Sequence, residues 1–71
     1  MPTMVYIGAR LKEARARRYF TQRDLAEKTG LSPATIAKLE TDKAEPRPST
    51  IKKLAKVLEV HPDELTGYGR E

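Results

Sequence analysis

The amino-acid sequence predicts an all-α fold, a compact bundle of five short helices. Three observations support this prediction: apolar residues recur at helical spacing, capping residues precede the apolar runs, and no segment carries a strand signal. The chain has 71 residues, so we expect a single domain over residues 1–71 with its core at about 6–66. A chain of this length buries only about 60% of its unfolded surface, which favours short helices with tight links.

The first two helices are predicted from an apolar stripe and a capping box. The stripe places helix 1 at about residues 6–18 and consists of Ile7, Leu11, Ala14 and Arg18. Thr21 followed three residues later by Asp24 is the signature of an N-cap with its capping box, and Phe20 before the cap can pack on Leu25 as a hydrophobic staple. Gly30 can adopt the left-handed conformation that ends a helix, so helix 2 is predicted to end just before it.

Proline directly after a capping residue predicts two more helices. Ser32 and Pro33 open a third helix over about residues 33–41, and His61 and Pro62 open a short fifth helix. The lone histidine is thereby explained as a cap. A metal site would need further nitrogen or sulfur ligands, and we expect neither a metal nor a cofactor.

The fourth helix is predicted from its apolar face, which consists of Ile51, Leu54, Ala55 and Leu58. A polar loop with two prolines precedes it, because the residue before a proline is disfavoured in the α conformation. We expect this helix to begin at Ser49 or Thr50 and to end near Glu59.

Three spacings in the central helix pair are typical of a helix-turn-helix. Counted from Gln22, a small residue stands at the fifth position (Ala26), glycine at the ninth (Gly30) and a β-branched residue at the fifteenth (Ile36). Two helices that cross steeply need a small side chain at their closest approach, and the short turn needs a residue that tolerates positive φ. An ordinary helical corner is the structural alternative, and the coincidence of caps, staples and spacings favours the helix-turn-helix.

The charge of the chain is unevenly distributed. The net charge is +4, and residues 1–23 hold six Lys or Arg against one Glu. A basic end on a nearly neutral body indicates an anionic partner such as nucleic acid, although a solvated helical surface would have the same composition. There is no cysteine, which excludes disulfides and thiol chemistry. No apolar run is long enough to span a membrane and no secretion signal opens the chain, so we expect a cytoplasmic protein.

Four segments together resemble a known family: IGARLKEARARR, TQRDLAEKTGLSPATIAKLE, PRPSTIKKLAKVLEV and HPDEL. They are similar to the lambda-repressor-like helix-turn-helix DNA-binding domains of phage repressors, Cro proteins and XRE-type regulators. The likeness covers about residues 6–66. It implies a prokaryotic or phage transcription regulator, such as a repressor, that binds double-stranded DNA through helix 3, as a homodimer on a pseudo-palindromic site, and that is not an enzyme.

The resemblance also implies a DNA-binding face. The residues that match it are Gln22, Ser32, Pro33, Ala34, Thr35, Lys38, Lys43 and Arg47. Gln22 matches a glutamine that contacts phosphate and braces helix 3, where the helix N-terminus also suits an anion. Lys38 can donate to guanine, and Ala34 and the Thr35 methyl can meet a thymine methyl. Lys43 and Arg47 match positions that contact the DNA backbone, with a solvated loop charge as the alternative for each.

Two further residues match a structural ion pair of the family, in which Arg15 ties helix 1 to Glu40 of helix 3. Two departures from the family pattern also matter. Pro33 and Ala34 stand where relatives place Gln, Arg or Ser, so bidentate contacts to bases are scarce. Tyr19 replaces a glycine, and because tyrosine is disfavoured in the left-handed region we expect helix 1 to end differently and Tyr19 to be exposed.

The same fold can also serve protein–protein interaction. An antitoxin or adaptor module, with a partner such as a toxin, is therefore the alternative function. For the expected homodimer, the apolar residues of the C-terminal part supply a candidate surface that contains Val60, Leu65 and Tyr68.

Overall fold

The computed structural model describes residues 6–67, and over that range it forms five helices and no strand. The helices are α1 (Gly8–Arg17), α2 (Gln22–Thr29), α3 (Pro33–Glu40), α4 (Pro48–Leu58) and α5 (Pro62–Thr66). The predicted five-helix bundle is therefore confirmed. None of the described helices is long and apolar enough to cross a membrane.

One helix start was predicted at the wrong place. Helix α4 begins at Pro48, with Arg47 as an N-cap that makes no side-chain capping hydrogen bond, and not at Ser49 or Thr50. Proline suits the first helical position because its φ is already helical and its missing N–H would have no partner there. The same rule had located Pro33 and Pro62 correctly.

The core draws at least one fully buried side chain from every helix. Leu11, Leu25, Ile36, Leu54 and Leu65 are each 0% exposed, one on each helix in chain order. Ile7, Ala26, Leu39, Ile51, Ala55 and Leu58 complete the buried cluster. Each fully buried leucine or isoleucine that is truncated to alanine would cost about 2–5 kcal/mol, so all five helices depend on this one cluster.

Three of the connections contain the same unit of three residues, which we call a link. The links are Tyr19-Phe20-Thr21, Gly30-Leu31-Ser32 and Glu59-Val60-His61. The first residue of each is left-handed, with φ of 59°, 78° and 59°. The second is a half-buried apolar residue that packs against the core. The third is an N-cap whose side chain accepts a backbone N–H of the next helix, so each link ends one helix and starts another.

Tyr19 does adopt the left-handed conformation, and the sequence-based expectation that it would not is wrong. Its N–H donates to the carbonyl of Ala16 at 3.0 Å, and the N–H of Phe20 donates to the carbonyl of Arg15 at 3.2 Å. This pair of bonds is a Schellman motif, and it holds Phe20 against the core. Two backbone hydrogen bonds and the burial of Phe20 therefore outweigh the conformational cost of the tyrosine. Its side chain is 93% exposed, as expected.

The start of α1 lies directly on the end of α3. The N–H of Gly8 donates to Oδ1 of Asp42 at 3.0 Å. A Cβ on Gly8 would lie 2.5 Å from the carbonyl oxygen of Glu40, so only glycine fits at this contact. Asp42 is itself left-handed, with φ of 60°. This contact fixes helix α1 relative to the end of α3.

Candidate nucleic-acid interface

The N-terminus of α2 is closed by the predicted capping box. Oγ1 of Thr21 accepts the N–H of Asp24 at 2.9 Å, and Oδ2 of Asp24 accepts the N–H of Thr21 at 2.8 Å. The hydrogen bonds from the backbone and side chain of Thr21 lower the pKa of Asp24, so this carboxylate stays charged at neutral pH. The capping box thus fixes the start of α2, where Gln22 is the first helical residue.

The turn between α2 and α3 combines glycine with a buried hydroxyl. Gly30 has φ of 78°, and an added Cβ would meet no heavy atom within 4 Å, so the requirement for glycine here is conformational and not steric. Thr29 is buried, and its hydroxyl donates to the carbonyl of Leu25 at 2.8 Å and accepts the N–H of Leu31 at 3.3 Å. The sequence spacings identified Gly30 but not Thr29.

Helix α3 presents a clean division between a buried and an exposed face. Ile36 and Leu39 are buried at 0% and 3% exposure. Pro33, Ala34 and Lys38 are exposed on the other side, and Thr35 is half-buried. This exposed face is small and carries one cation.

Two hydroxyls occupy the start of α3. Oγ of Ser32 accepts the N–H of Thr35 at 3.0 Å and lies 2.9 Å from Oγ1 of Thr35. Ser32 is exposed and Thr35 half-buried. The mutual bond fixes both side chains, while each hydroxyl oxygen keeps additional hydrogen-bonding capacity. The pair therefore offers a rigid polar group at the tip of the helix.

A buried charge cluster fixes the end of α3 against α1 and α2. The guanidinium of Arg15 pairs with both carboxylate oxygens of Glu40, with Nη2 donating to Oε1 at 3.0 Å. The Glu40 side chain is only 2% exposed and that of Arg15 15% exposed. This carboxylate raises the pKa of Arg15 through the hydrogen bonds and the opposite charge. The structure thus brings together the two residues of the expected ion pair.

Two further groups join this cluster. Nε2 of Gln22 donates to Oε1 of Glu40 at 3.0 Å, and Nη1 of Arg15 donates to the carbonyl oxygen of Phe20 at 2.8 Å. The Gln22 side chain thus braces α3. An amide nitrogen carries two hydrogens, so Gln22 retains one N–H for an acceptor such as a phosphate oxygen.

The loop after α3 places two cations at the surface. Lys43 and Arg47 are both exposed, and the N–H of Lys43 donates to the carbonyl of Lys38 at 2.9 Å. That bond ties the loop to the last turn of α3. Lys43 therefore lies beside the end of α3 that carries Lys38, while Arg47 stands at the N-cap of α4.

The candidate dimer surface is not available as predicted. Leu65 is 0% exposed because α5 uses it to close the core, so it cannot contact a second chain. Val60 is half-buried and packs on the same core. Tyr68 lies outside the described residues.

A capped α2, a glycine turn and an α3 with one buried and one exposed face define a helix-turn-helix protein. Comparison with known families agrees, since the helix-turn-helix family model matches residues 11–65. The chain therefore belongs to the helix-turn-helix family. This confirms the family that the sequence resemblance indicated.

Two curated relatives come from Bacillus subtilis. The chain is 50% identical over 54 residues to the uncharacterised HTH-type transcriptional regulator RghRB, a match that covers 75% of this chain and 39% of the relative. It is 36% identical over 61 residues to the HTH-type transcriptional regulator ImmR, covering 86% of this chain and 48% of that protein. The chain thus spans less than half the length of these relatives.

Two solved structures match the whole bundle. The restriction-modification controller protein C.AhdI from Aeromonas hydrophila is 33% identical, with a TM-score of 0.81 over 86% of this chain and 92% of that one. The P22 c2 repressor, solved in complex with the synthetic operator 9T, is 28% identical, with a TM-score of 0.78 over 89% of this chain and 94% of the repressor chain. The predicted phage-repressor type of fold is confirmed.

Proposed function

We propose that this chain is a sequence-specific DNA-binding transcriptional regulator that inserts α3 into the major groove. The observation that carries the proposal is the two-sided α3, whose buried face is locked by Glu40, Arg15 and Gln22 while its other face is free to meet a ligand. Relatives with this fold support it. They include the P22 c2 repressor with an operator and the regulator SinR, solved in complex with DNA. The relatives named as transcriptional regulators favour this function over an antitoxin or adaptor role.

The base contacts are assigned to the exposed part of α3. Lys38 donates to guanine, and Ala34 and the methyl group of Thr35 meet thymine methyl groups. Pro33 has no donor for a base edge, so part of the specificity comes from the shape and flexibility of the DNA.

The phosphate contacts surround that face. Gln22 uses its remaining amide N–H, and the backbone N–H groups of Gln22 and Arg23, which the capping box does not use, favour an anion. The Ser32 hydroxyl, Lys43 and Arg47 complete the set. Lys43 and Arg47 neutralise phosphates and release counterions, which makes binding salt-dependent.

The functional unit in this proposal is a homodimer in the cytoplasm. A two-fold arrangement would place two copies of α3 about 34 Å apart, on two half-sites one helical turn apart. Such a protein is a regulator and not an enzyme.

Fluorescence anisotropy on labelled duplexes tests the proposal. Random duplex is compared with the DNA upstream of the protein's own gene, at two salt concentrations. We expect much tighter binding to the upstream DNA, with a steep salt slope. Absence of binding to either duplex at low salt would refute the proposal.

Substitutions then separate base from backbone contacts. Lys38→Ala is expected to lose about 1–3 kcal/mol of preference for the specific site. Lys43→Ala should weaken binding to both duplexes by the same factor and lower the salt slope by about one. Lys56→Ala, which removes an exposed lysine from α4, is the matched control and should leave the preference unchanged. Equal behaviour of Lys38→Ala and Lys56→Ala would contradict the assignment of Lys38.

A further inference from the structure

Tyr19 combines two features that are unfavourable for a folded chain. Its side chain is 93% exposed, so the aromatic ring adds little buried apolar surface. Its backbone is left-handed at φ 59°, a conformation that costs tyrosine free energy and that glycine adopts freely. The Tyr19 side chain, as distinct from its backbone, therefore adds little to stability. Strain of this kind concentrates at functional positions.

The backbone of Tyr19 is held in place. The two Schellman hydrogen bonds of 3.0 and 3.2 Å fix the peptide groups on either side of it. The carbonyl of Phe20 is also bound by Arg15, the residue that anchors Glu40 and, through it, Gln22. The direction in which the Tyr19 side chain leaves the surface is therefore set by the same cluster that positions α3.

Tyr19 lies close to the proposed DNA contact at Gln22. They are three positions apart in the chain, so their Cα atoms are at most about 11 Å apart. One strand of B-DNA advances about 3.4 Å per nucleotide along the helix axis. A phosphate bound by Tyr19 would therefore lie within about three nucleotides of the one at Gln22.

The chain neighbours of Tyr19 carry or contact several cations. Arg18 and Lys28 lie over the Phe20 ring at 5.9 and 5.1 Å from its centroid, and Arg23 is exposed one residue after Gln22. Nη2 of Arg18 also forms an ion pair with Oε2 of Glu59 at 3.1 Å, whereas Arg23 makes no ion pair within residues 6–67. An exposed tyrosine that follows Arg18 and precedes Arg23 by four positions suits a sugar-phosphate backbone, where the ring covers a sugar and the hydroxyl donates to a phosphate oxygen.

We propose that Tyr19 is a DNA-backbone contact that extends the interface beyond Gln22 onto a flanking phosphate. This inference rests on the proposed DNA-binding function. Its hydroxyl donates to a phosphate oxygen, and the left-handed backbone aims the side chain outward from the corner between α1 and α2. The strain is retained because glycine, which fits the backbone better, has no side chain to make the contact.

Three variants test the proposal by thermal melting and by anisotropy on the specific duplex. Tyr19→Gly relieves the strain and removes the contact, so we expect Tm to rise by a few degrees while DNA binding weakens by about tenfold. Tyr19→Phe keeps the strain and the ring, so its Tm is unchanged and its binding is also weaker. Glu59→Gly relieves the same strain in the link between α4 and α5, and it should raise Tm without weakening binding.

The partner atom is tested with modified DNA. A series of duplexes carries a neutral methylphosphonate at one phosphate at a time, within three nucleotides of the phosphate proposed to contact Gln22. At one position the wild type should lose affinity while Tyr19→Phe and Tyr19→Gly lose none, which identifies the contacted phosphate.

Four outcomes would overturn the inference. The first two concern Tyr19→Gly: an unchanged affinity for DNA, or a lower Tm. The third is a loss of DNA affinity in the Tyr19 variants that depends on no single phosphate. The fourth is a loss of self-association of the variants in light scattering while each protomer binds DNA normally. The last would assign Tyr19 to a contact with a second copy of the chain. If the wild type binds no duplex at all, the proposed function itself fails and this inference falls with it.

Discussion

The link between α1 and α2 and the link between α2 and α3 have the same backbone plan but different means of support. Both place a left-handed residue, a half-buried apolar residue and an N-cap in sequence. The first starts with a strained tyrosine and is tied by the guanidinium of Arg15 to the carbonyl of Phe20. The second starts with an unstrained glycine and is tied by the buried hydroxyl of Thr29 to the N–H of Leu31.

The difference shows that the geometry of a link does not fix its chemistry. In the first link a charged group serves two purposes, because Arg15 holds the link and also neutralises Glu40 at the end of α3. In the second link the brace is local and neutral. Helix α2 lies between these links, so its placement on α3 depends on one ionic and one neutral brace.

Removal of the ionic brace in the first link should cause the largest loss in the free energy of unfolding. Arg15→Ala leaves the carboxylate of Glu40, 2% exposed, without its main partner and frees the Phe20 carbonyl. We expect a loss of about 3–5 kcal/mol in the free energy of unfolding, measured by urea denaturation. Arg17→Ala is the control, since its pair with Glu13 is 69% and 65% exposed and should cost less than about 1 kcal/mol. Similar losses in the two variants would show that the first link needs no buried charge.

Removal of the neutral brace should have a smaller effect. Thr29→Val keeps the shape of the side chain but leaves the N–H of Leu31 without its acceptor, so we expect a loss of about 1–2 kcal/mol by urea denaturation. Thr41→Val is matched to it, because the Thr41 hydroxyl also donates to a carbonyl one turn earlier, at 2.9 Å, but in an exposed position. A neutral result for Thr29→Val would mean that Gly30 alone holds the second link.

Replacement of the left-handed residue of a link should have the smallest effect on stability. The effect is destabilising in one link and stabilising in another. Gly30→Ala introduces strain but no clash, so it should destabilise by about 1 kcal/mol. Glu59→Gly removes strain from the third link and should stabilise by a similar amount, reduced by the loss of the exposed pair with Arg18. No hydrogen bond within residues 6–67 joins the two links, so the two effects should add, and thermal melting of the double variant should show partial cancellation. A destabilising effect of Glu59→Gly would show that non-glycine links carry little strain.

The features predicted correctly from the sequence are local ones. The caps at Thr21, Ser32 and His61 and the turn at Gly30 depend on residues within one helical turn, and a short motif contains all the interactions that produce them. The core positions follow from helical periodicity in the same way. The ion pair of Arg15 and Glu40 came only from the family resemblance, because its partners are 25 residues apart.

The features that were mispredicted or missed depend on packing between distant segments. The contact of Gly8 with Asp42 joins residues 34 positions apart, and no local pattern contains it. Leu65 looked available for a dimer because a five-residue helix shows no clear inner face in its sequence. Tyr19 was misjudged because its conformational cost was weighed without the two backbone bonds and the burial of Phe20 that offset it.

The shortness of α3 has a thermodynamic consequence. Its eight residues are fewer than the about 12–15 that an isolated helix needs to persist in water. The proposed DNA-contacting surface therefore exists only in molecules whose whole bundle is formed, and no population of free α3 can search the groove ahead of folding. Occupancy of an operator and the fraction of folded protein are therefore coupled. Free operator DNA at a hundred times its Kd would add about 2.7 kcal/mol to the free energy of unfolding of the whole bundle.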